Sequence, residues 1–137
     1  MSNEKVRIIV AGSRGITQYA YVERVLDQVL PTLTNTPVIV SGTARGVDQL
    51  GEQYAQEHDL ECDRYPADWD RHGKSAGYIR NQKMAYRSDA LIAFWDGKSK
   101  GTKHMIDIAL TAGLVVVVQH GERWCVLNDI DCLICLS

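Results

Sequence analysis

The apolar positions of this chain follow two alternating periods. Continuous apolar runs occupy 6–12, 37–42 and 114–119, and such runs are typical of strands buried on both faces of a parallel sheet. A shorter apolar run at 90–95 predicts a further strand, and we expect another strand around 62–66. Between the runs, apolar residues recur three and four positions apart, which indicates helices with one buried face.

Four helices are predicted between these strands, near 22–30, 47–55, 76–87 and 105–112. Pro31 and Gly113 are the stop signals expected after the first and the last of them. The apolar faces are expected to comprise Val22, Val25, Leu26, Val29 and Leu30 in the first helix, Val47, Leu50, Tyr54 and Ala55 in the second, and Met105, Ile108, Ala109 and Ala112 in the last.

The alternation of strand and helix predicts the fold class. It is typical of an α/β protein with a parallel sheet covered by helices on both faces. We therefore expect a Rossmann-like three-layer sandwich, with a mainly parallel sheet of about five strands, over a single domain at 1–137. The segment 67–75 is expected to be a polar loop, and 119–137 a short carboxyl-terminal extension or edge strand.

Composition narrows the function further. The formal net charge is −2, which disfavours bulk nucleic acid as the partner but leaves room for a local basic pocket. The longest apolar stretch, which begins at Leu114, is too short to cross a bilayer, and the first residues contain no apolar signal core. We therefore expect a cytoplasmic protein without a membrane partner.

The apolar carboxyl-terminal segment at 124–137 contains most of the cysteines. Cys132 and Cys135 form a C-x-x-C pair, but with Cys125 and Cys62 they do not complete a metal-ligand set. We expect no metal, and reduced cysteines packed as small hydrophobic residues, with a metal or redox role as the alternative. The same segment would suit a homodimer surface, which we expect, although burial against its own chain explains the composition equally well.

Glycine-rich turns follow three of the predicted strands, at 12–15, 41–46 and 96–102. The carboxyl ends of parallel strands meet at one edge of a sheet, where such folds bind ligands. Each turn combines glycine with Ser or Thr and a cation, so that backbone N–H groups and helix amino termini could hold a phosphate there. The alternative is that these residues are only good turn formers and helix caps.

Three side chains outside the glycines suggest contacts with the rest of such a ligand. Arg80 could pair with a phosphate, Asp48 could bond a ribose hydroxyl, and Trp69 could stack on a base or act as a lid. The predicted ligand-binding residues are Gly12, Ser13, Arg14, Ser41, Gly42, Thr43, Ala44, Arg45, Gly46, Asp48, Trp69, Arg80, Asn81, Ser99, Gly101 and Thr102.

Each of these assignments has a structural alternative. Arg80 could belong to a solvated basic helix face with Lys83 and Arg87, and Asp48 could be a first-turn acid that interacts with the helix dipole. Trp95, which ends an apolar strand, is expected to pack in the core. His72 and His104 lie near the predicted site, and surface or capping roles are expected for both.

The chain resembles a known family through an ordered set of motifs. GSR, SGTARGVD, PADW, GKSAGYIRNQKMA and WDGKSKGTKHMI, between about residues 7 and 118, are similar to the YspA/YpsA-related branch of the SLOG superfamily. That superfamily also contains the Lonely Guy-type phosphoribohydrolases and DNA-processing protein A. The resemblance implies a Rossmann-like sheet with a pocket for a nucleotide or a nucleotide derivative.

One position departs from the phosphoribohydrolase pattern P-G-G-x-G-T-x-x-E. Gly101 and Thr102 match its phosphate-binding part, but Met105 stands where the motif has its glutamate. Methionine cannot act as an acid or base in cleaving an N-glycosidic bond. The catalytic residues are therefore unknown, with Asp48 and Asp96 as weak candidates and Asp107 weaker still.

Three functions are compatible with these residues. The first is a sensor or carrier that binds a nucleotide, including NAD-like or ADP-ribose-like ligands, without any other cofactor. The second is a nucleotide phosphoribohydrolase or related N-glycosidase. The third is single-stranded DNA binding like that of DNA-processing protein A, for which the slightly acidic chain is unfavourable. It would use Arg14, Arg45, Lys74, Arg80 and Lys83.

Overall fold

The computed structural model of the protein describes residues 4–127. Strands and helices alternate along them as the apolar periods predict. The strands are β1 Lys5–Gly12, β2 Thr36–Ser41, β3 Glu61–Arg64, β4 Ala90–Phe94, β5 Val115–His120 and β6 Arg123–Leu127. The helices are α1 Tyr19–Val29, α2 Val47–Glu57, α3 Trp69–His72, α4 Ala76–Tyr86 and α5 Lys100–Thr111.

Within residues 4–127, six strands form one sheet in the order β3-β2-β1-β4-β5-β6. The strands from β3 to β5 pair in parallel, and β6 pairs antiparallel with β5 at the edge. This topology confirms the predicted Rossmann-like α/β sandwich. From β1 the chain builds toward one edge through β2 and β3, and then returns to the other side of β1 with β4, so the strand order reverses between β1 and β4.

The core consists of two layers, one on each face of the sheet. Ile8 and Val10 of β1 pack with α1 and α2, while Ile9 and Ala11 pack with α4 and α5. Burial on both faces explains why β1 is apolar at successive positions rather than at alternate ones. Met105, in the middle of α5, belongs to the second layer.

The segment predicted as a polar loop at 67–75 is instead partly helical. It contains α3 and a 3₁₀ turn at Gly73–Ser75. The Asp68 carboxylate caps α3 by accepting a hydrogen bond of 3.2 Å from the Arg71 N–H. A helix of a single turn has no apolar periodicity, so the sequence pattern does not reveal it.

The buried faces of the helices differ from the prediction at a few positions. In α5, Ile106 is buried, whereas Ala112 lies beyond the helix end and is exposed. In α2, Leu50 is only half-buried, whereas Gly51 is buried. Because Gly51 has no side chain, the helix can approach Val10 of β1 closely at this position. As predicted, α1 ends before Pro31: its last residue is Val29, and Pro31 lies in a short 3₁₀ turn at Leu30–Thr32.

The cysteine prediction is tested for two of its four residues. Cys62 and Cys125 are half-buried and pack against the two layers of the core, as small hydrophobic residues do. Cys132 and Cys135 lie outside the described residues. Among residues 4–127, no cluster of three or more His, Cys, Asp or Glu side chains could hold a metal ion. No helix in the same range is long and apolar enough to cross a membrane.

Candidate functional site

The three glycine-rich turns lie at the carboxyl edge of the sheet, around the point where the strand order reverses. Ser13, directly after β1, ties the first turn to the third. Its N–H donates to the Phe94 carbonyl at 3.0 Å, and its buried hydroxyl accepts from the Asp96 N–H at 3.1 Å. A Cβ at Gly12 would lie 2.4 Å from the Phe94 carbonyl oxygen, so this close approach of β1 and β4 requires glycine.

The second turn, at 42–46, is held by hydrogen bonds to the side chains that flank it in the sequence. The Thr43 N–H donates to the Ser41 hydroxyl at 3.0 Å, and the Ala44 N–H donates to the Asp48 carboxylate at 3.2 Å. The backbone N–H groups of Thr43 and Ala44, two of the predicted ligand-binding residues, are therefore already bonded within the chain. Thr43 has φ +65°, which a β-branched residue rarely adopts, so the turn also contains backbone strain.

Arg80 of α4 crosses to this second turn. One of its terminal nitrogens donates to the Gly42 carbonyl, and its Nε donates to the Asn81 side-chain oxygen at 3.0 Å. A Cβ at Gly42 would lie 2.7 Å from that terminal nitrogen, so glycine makes room for the guanidinium. Burial lowers the pKa of Arg80, an effect that nearby Asp48 opposes and nearby Arg14 adds to.

Asp48, in the first turn of α2, is a buried carboxyl group. Only 5% of its surface is exposed. Burial raises its pKa from the ordinary 3.8 to about 6, although the Ala44 N–H and the Arg80 charge both act in the opposite direction. Asp48 can therefore exchange a proton close to neutral pH, a property common among functional groups in clefts.

The other two acidic candidates have structural tasks. Asp96 accepts hydrogen bonds from the N–H groups of Lys98 at 2.8 Å and Ser99 at 2.7 Å. These bonds lower the pKa of Asp96, so it remains ionised at neutral pH and holds the third turn in shape. Asp107 is exposed and pairs with Lys103 at 2.8 Å, one helical turn earlier.

Hydrogen bonds between Ser and Thr residues cap the amino terminus of α5. The Ser99 hydroxyl caps the helix by accepting from the Thr102 N–H at 3.3 Å, and it also bonds the Thr102 hydroxyl at 3.1 Å. Gly101, in the same helical turn, is exposed. The third turn thus ends in a capped helix whose partial positive charge points toward the cleft edge.

A cleft of about 230 Å³ opens between these turns and α4. Ten of the predicted residues line it: Gly12, Arg14, Ala44, Asp48, Trp69, Arg80, Asn81, Ser99, Gly101 and Thr102. The other predicted residues belong to the turns but not to the cleft lining: Ser13, Ser41, Gly42, Thr43, Arg45 and Gly46. They shape the turns, as Gly46 does by packing against the Arg14 backbone with φ +80°.

Six residues that line the cleft were not among the predicted ligand-binding residues: Ala11, Lys74, Gly77, Tyr78, Met84 and Met105. On α4, Gly77 lies three residues before Arg80 and Tyr78 lies three residues before Asn81, and that spacing is the signal that could have identified them. Met105, at the position of the phosphoribohydrolase glutamate, is 1% exposed and gives the cleft an apolar floor.

The remaining aromatic and basic candidates lie outside the cleft, either against the core or in a second groove. Trp95 is half-buried against the core, as predicted, and its indole N–H donates to the Ser99 carbonyl at 3.1 Å. His72, Lys83 and Arg87 line a second groove on the other side of Arg80. Arg80 lies between the two, so it is not simply part of a solvated basic face.

The fold defines a class, the Rossmann-like α/β proteins. Such proteins bind ligands where the strand order of the sheet reverses, and the cleft lies at that point. A family model described as the YspA, cpYpsA-related SLOG family matches residues 6–72. The chain is also 33% identical over 128 residues to the Gene 61 protein of Mycobacterium phage D29, a match that covers 85% of this chain and 98% of that protein. The chain belongs to the YspA, cpYpsA-related SLOG family, as its motifs predicted, and this membership suggests a nucleotide-related function.

Proposed function

We propose that the cleft binds a nucleotide or a nucleotide-derived ligand, including NAD-like and ADP-ribose-like molecules, as a sensor or carrier. The observation that carries the proposal is the position of Arg80, whose guanidinium lines the cleft with Asp48 beside it. The two groups offer, within one small site, a donor set for phosphate and an acceptor for ribose hydroxyls.

Positive charge along the cleft supports a phosphate-bearing ligand. Arg14 and Lys74 line the same cleft as Arg80, and the effect of Arg14 on the pKa of Arg80 indicates that the two cations repel each other. An anion between them would relieve that repulsion. The N–H groups of Lys100 and Gly101, in the first turn of α5, have no intrahelical partner, whereas that of Thr102 is capped by Ser99. The two uncapped groups would complete the phosphate site.

Asp48 supports the ribose part of the proposal. Its carboxylate uses the Ala44 N–H as a partner within the chain, and a carboxylate can accept several further hydrogen bonds. Vicinal ribose hydroxyls are donors of the kind that such a buried carboxylate would bind.

The test is a thermal-shift titration of the protein with AMP, ADP-ribose, NAD and inorganic phosphate. A ligand that binds only the folded state at one hundred times its dissociation constant should stabilise the protein by about 2.7 kcal/mol. We expect at least one nucleotide to raise the melting temperature well above the effect of phosphate. The absence of any shift at millimolar nucleotide would contradict the proposal. Native mass spectrometry of the same sample would give the subunit count, and with it a test of the expected dimer.

The raised pKa of Asp48 favours N-glycosidic hydrolysis as a second candidate function. A carboxyl group that titrates near pH 6 can act as a general acid or base, whereas Met105 cannot replace the missing glutamate. If the protein is a phosphoribohydrolase, it should release free base from a nucleoside monophosphate, and Asp48→Asn should abolish the release. If the wild type binds the ligand but releases no free base, the hydrolase function is contradicted and only the binding function remains.

A further inference from the structure

An aromatic cluster lies at the rim of the cleft, next to Arg80. Trp69 and Tyr78 both line the cleft and are 54% and 48% exposed. The Tyr78 ring lies against His104, with centroids 4.2 Å apart and planes inclined by 35°. Large, half-exposed aromatic side chains at the mouth of a cleft are characteristic of ligand contacts rather than of core packing.

A chain of hydrogen bonds holds His104 in a defined state behind Tyr78. Because Arg80 Nε donates to the Asn81 oxygen at 3.0 Å, the Asn81 amide must present its nitrogen on the other side. That nitrogen donates to His104 Nδ1 at 3.2 Å, so the neutral imidazole carries its proton on Nε2. Burial lowers the pKa of His104 as well, which keeps the ring neutral. Tyr78 therefore has a fixed, uncharged ring as its support.

Gly77 lies close to both the aromatic cluster and the guanidinium of Arg80, the proposed phosphate-binding group. A Cβ at this position would lie 3.7 Å from the Trp69 ring and 3.6 Å from a terminal nitrogen of Arg80. The edge of the indole and the guanidinium thus both lie close to a residue without a side chain. A ligand phosphate on Arg80 would leave an attached ring system within reach of Trp69 and Tyr78.

We propose that Tyr78, supported by His104, and Trp69 form a subsite for the planar base of the ligand. The inference rests on the proposed nucleotide function and narrows it. The protein would select base-bearing nucleotides over sugar phosphates and inorganic phosphate, because a flat ring is the group that an aromatic platform binds. Stacking of this kind tolerates different bases, since every base presents a π-face.

The test compares AMP with ribose 5-phosphate by isothermal titration calorimetry on the wild type and on Tyr78→Ala. Loss of a stacking ring should weaken AMP binding by roughly 5- to 150-fold and leave ribose 5-phosphate unchanged. Trp69→Ala is a second variant with the same expectation. Tyr86→Ala is the matched control, because Tyr86 lies at the far end of the same helix and is 77% exposed.

The outcomes separate the two proposals. If the wild type binds AMP and ribose 5-phosphate equally, or if Tyr78→Ala and Trp69→Ala leave AMP binding unchanged or weaken both ligands alike, the base subsite is refuted while the phosphate site stands. If neither ligand binds to the wild type, the base subsite is refuted. If no nucleotide of the thermal-shift titration binds either, the proposed function fails as well. Selective weakening of AMP in both variants, with Tyr86→Ala unaffected, supports the base subsite.

Discussion

Replacing Asp48 by asparagine is expected to raise the free energy of unfolding at pH 7.5 by up to about 3 kcal/mol. Burial raises the pKa of this carboxyl group from 3.8 to about 6, and each pH unit corresponds to about 1.4 kcal/mol. At neutral pH the folded protein must therefore keep a charge that its surroundings disfavour. Asparagine removes the charge and retains an oxygen that can accept the Ala44 N–H.

The stabilisation should depend on pH in a defined window. The folded state holds the Asp48 proton more tightly than the unfolded state, so between about pH 4 and pH 6 it binds more protons. The contribution of Asp48 to stability consequently falls as pH rises through this window and is unfavourable above it. The difference between Asp48→Asn and the wild type should be close to zero near pH 4 and complete above about pH 7.

Urea unfolding at several pH values would measure this difference. Asp107→Asn is the matched control, because Asp107 is exposed and its surface pair with Lys103 should contribute little. A variant that is less stable than the wild type at pH 7.5 would contradict the assignment. A carboxylate that costs stability at the edge of a cleft is more readily explained by ligand binding than by folding.

Replacing Arg80 by alanine is expected to weaken the binding of AMP by about 1–3 kcal/mol, the range for a lost charge-assisted hydrogen bond. The same change should raise the pKa of Asp48 further, because the Arg80 charge favours its ionised form. Titration calorimetry would give the affinity, and the pH dependence of unfolding would report the pKa change.

Lys83→Ala is the control for charge. Lys83 lies on the same helix as Arg80, is exposed, and lines the second groove rather than the cleft. It should leave AMP affinity nearly unchanged. If Arg80→Ala binds AMP as tightly as the wild type does, Arg80 would be only a structural link between the Gly42 carbonyl and the Asn81 side chain.

The sheet was predictable because its central strands are buried on both faces. That environment leaves a continuous apolar run such as the one in β1, and the glycine directly after the run marks the turn. The position of α3 was not predictable, since four residues are too few for a helical period. The contact between Tyr78 and His104 also depends on how α4 packs against α5, which a pattern along one helix does not contain.

Within the candidate site, the identity of the turns could be predicted but not the use of their hydrogen-bonding groups. The sequence around Gly42 suggests a backbone nest for an anion. In the folded chain the Ala44 N–H donates a hydrogen bond to the Asp48 carboxylate, and the Gly42 carbonyl accepts one from Arg80. The Asp48 carboxylate lies two residues beyond the turn and the Arg80 guanidinium comes from α4, so the contact between Gly42 and Arg80 is visible only in the tertiary structure.

The cleft between the three turns and α4 is the proposed nucleotide site. The most direct measurement is a map of amide chemical-shift changes in ¹⁵N-labelled protein during a titration with AMP. We predict saturable changes concentrated at the cleft lining, at Arg14, Ala44, Gly77 and Gly101. No change at millimolar AMP, or changes concentrated on the edge strand β6, would contradict the claim.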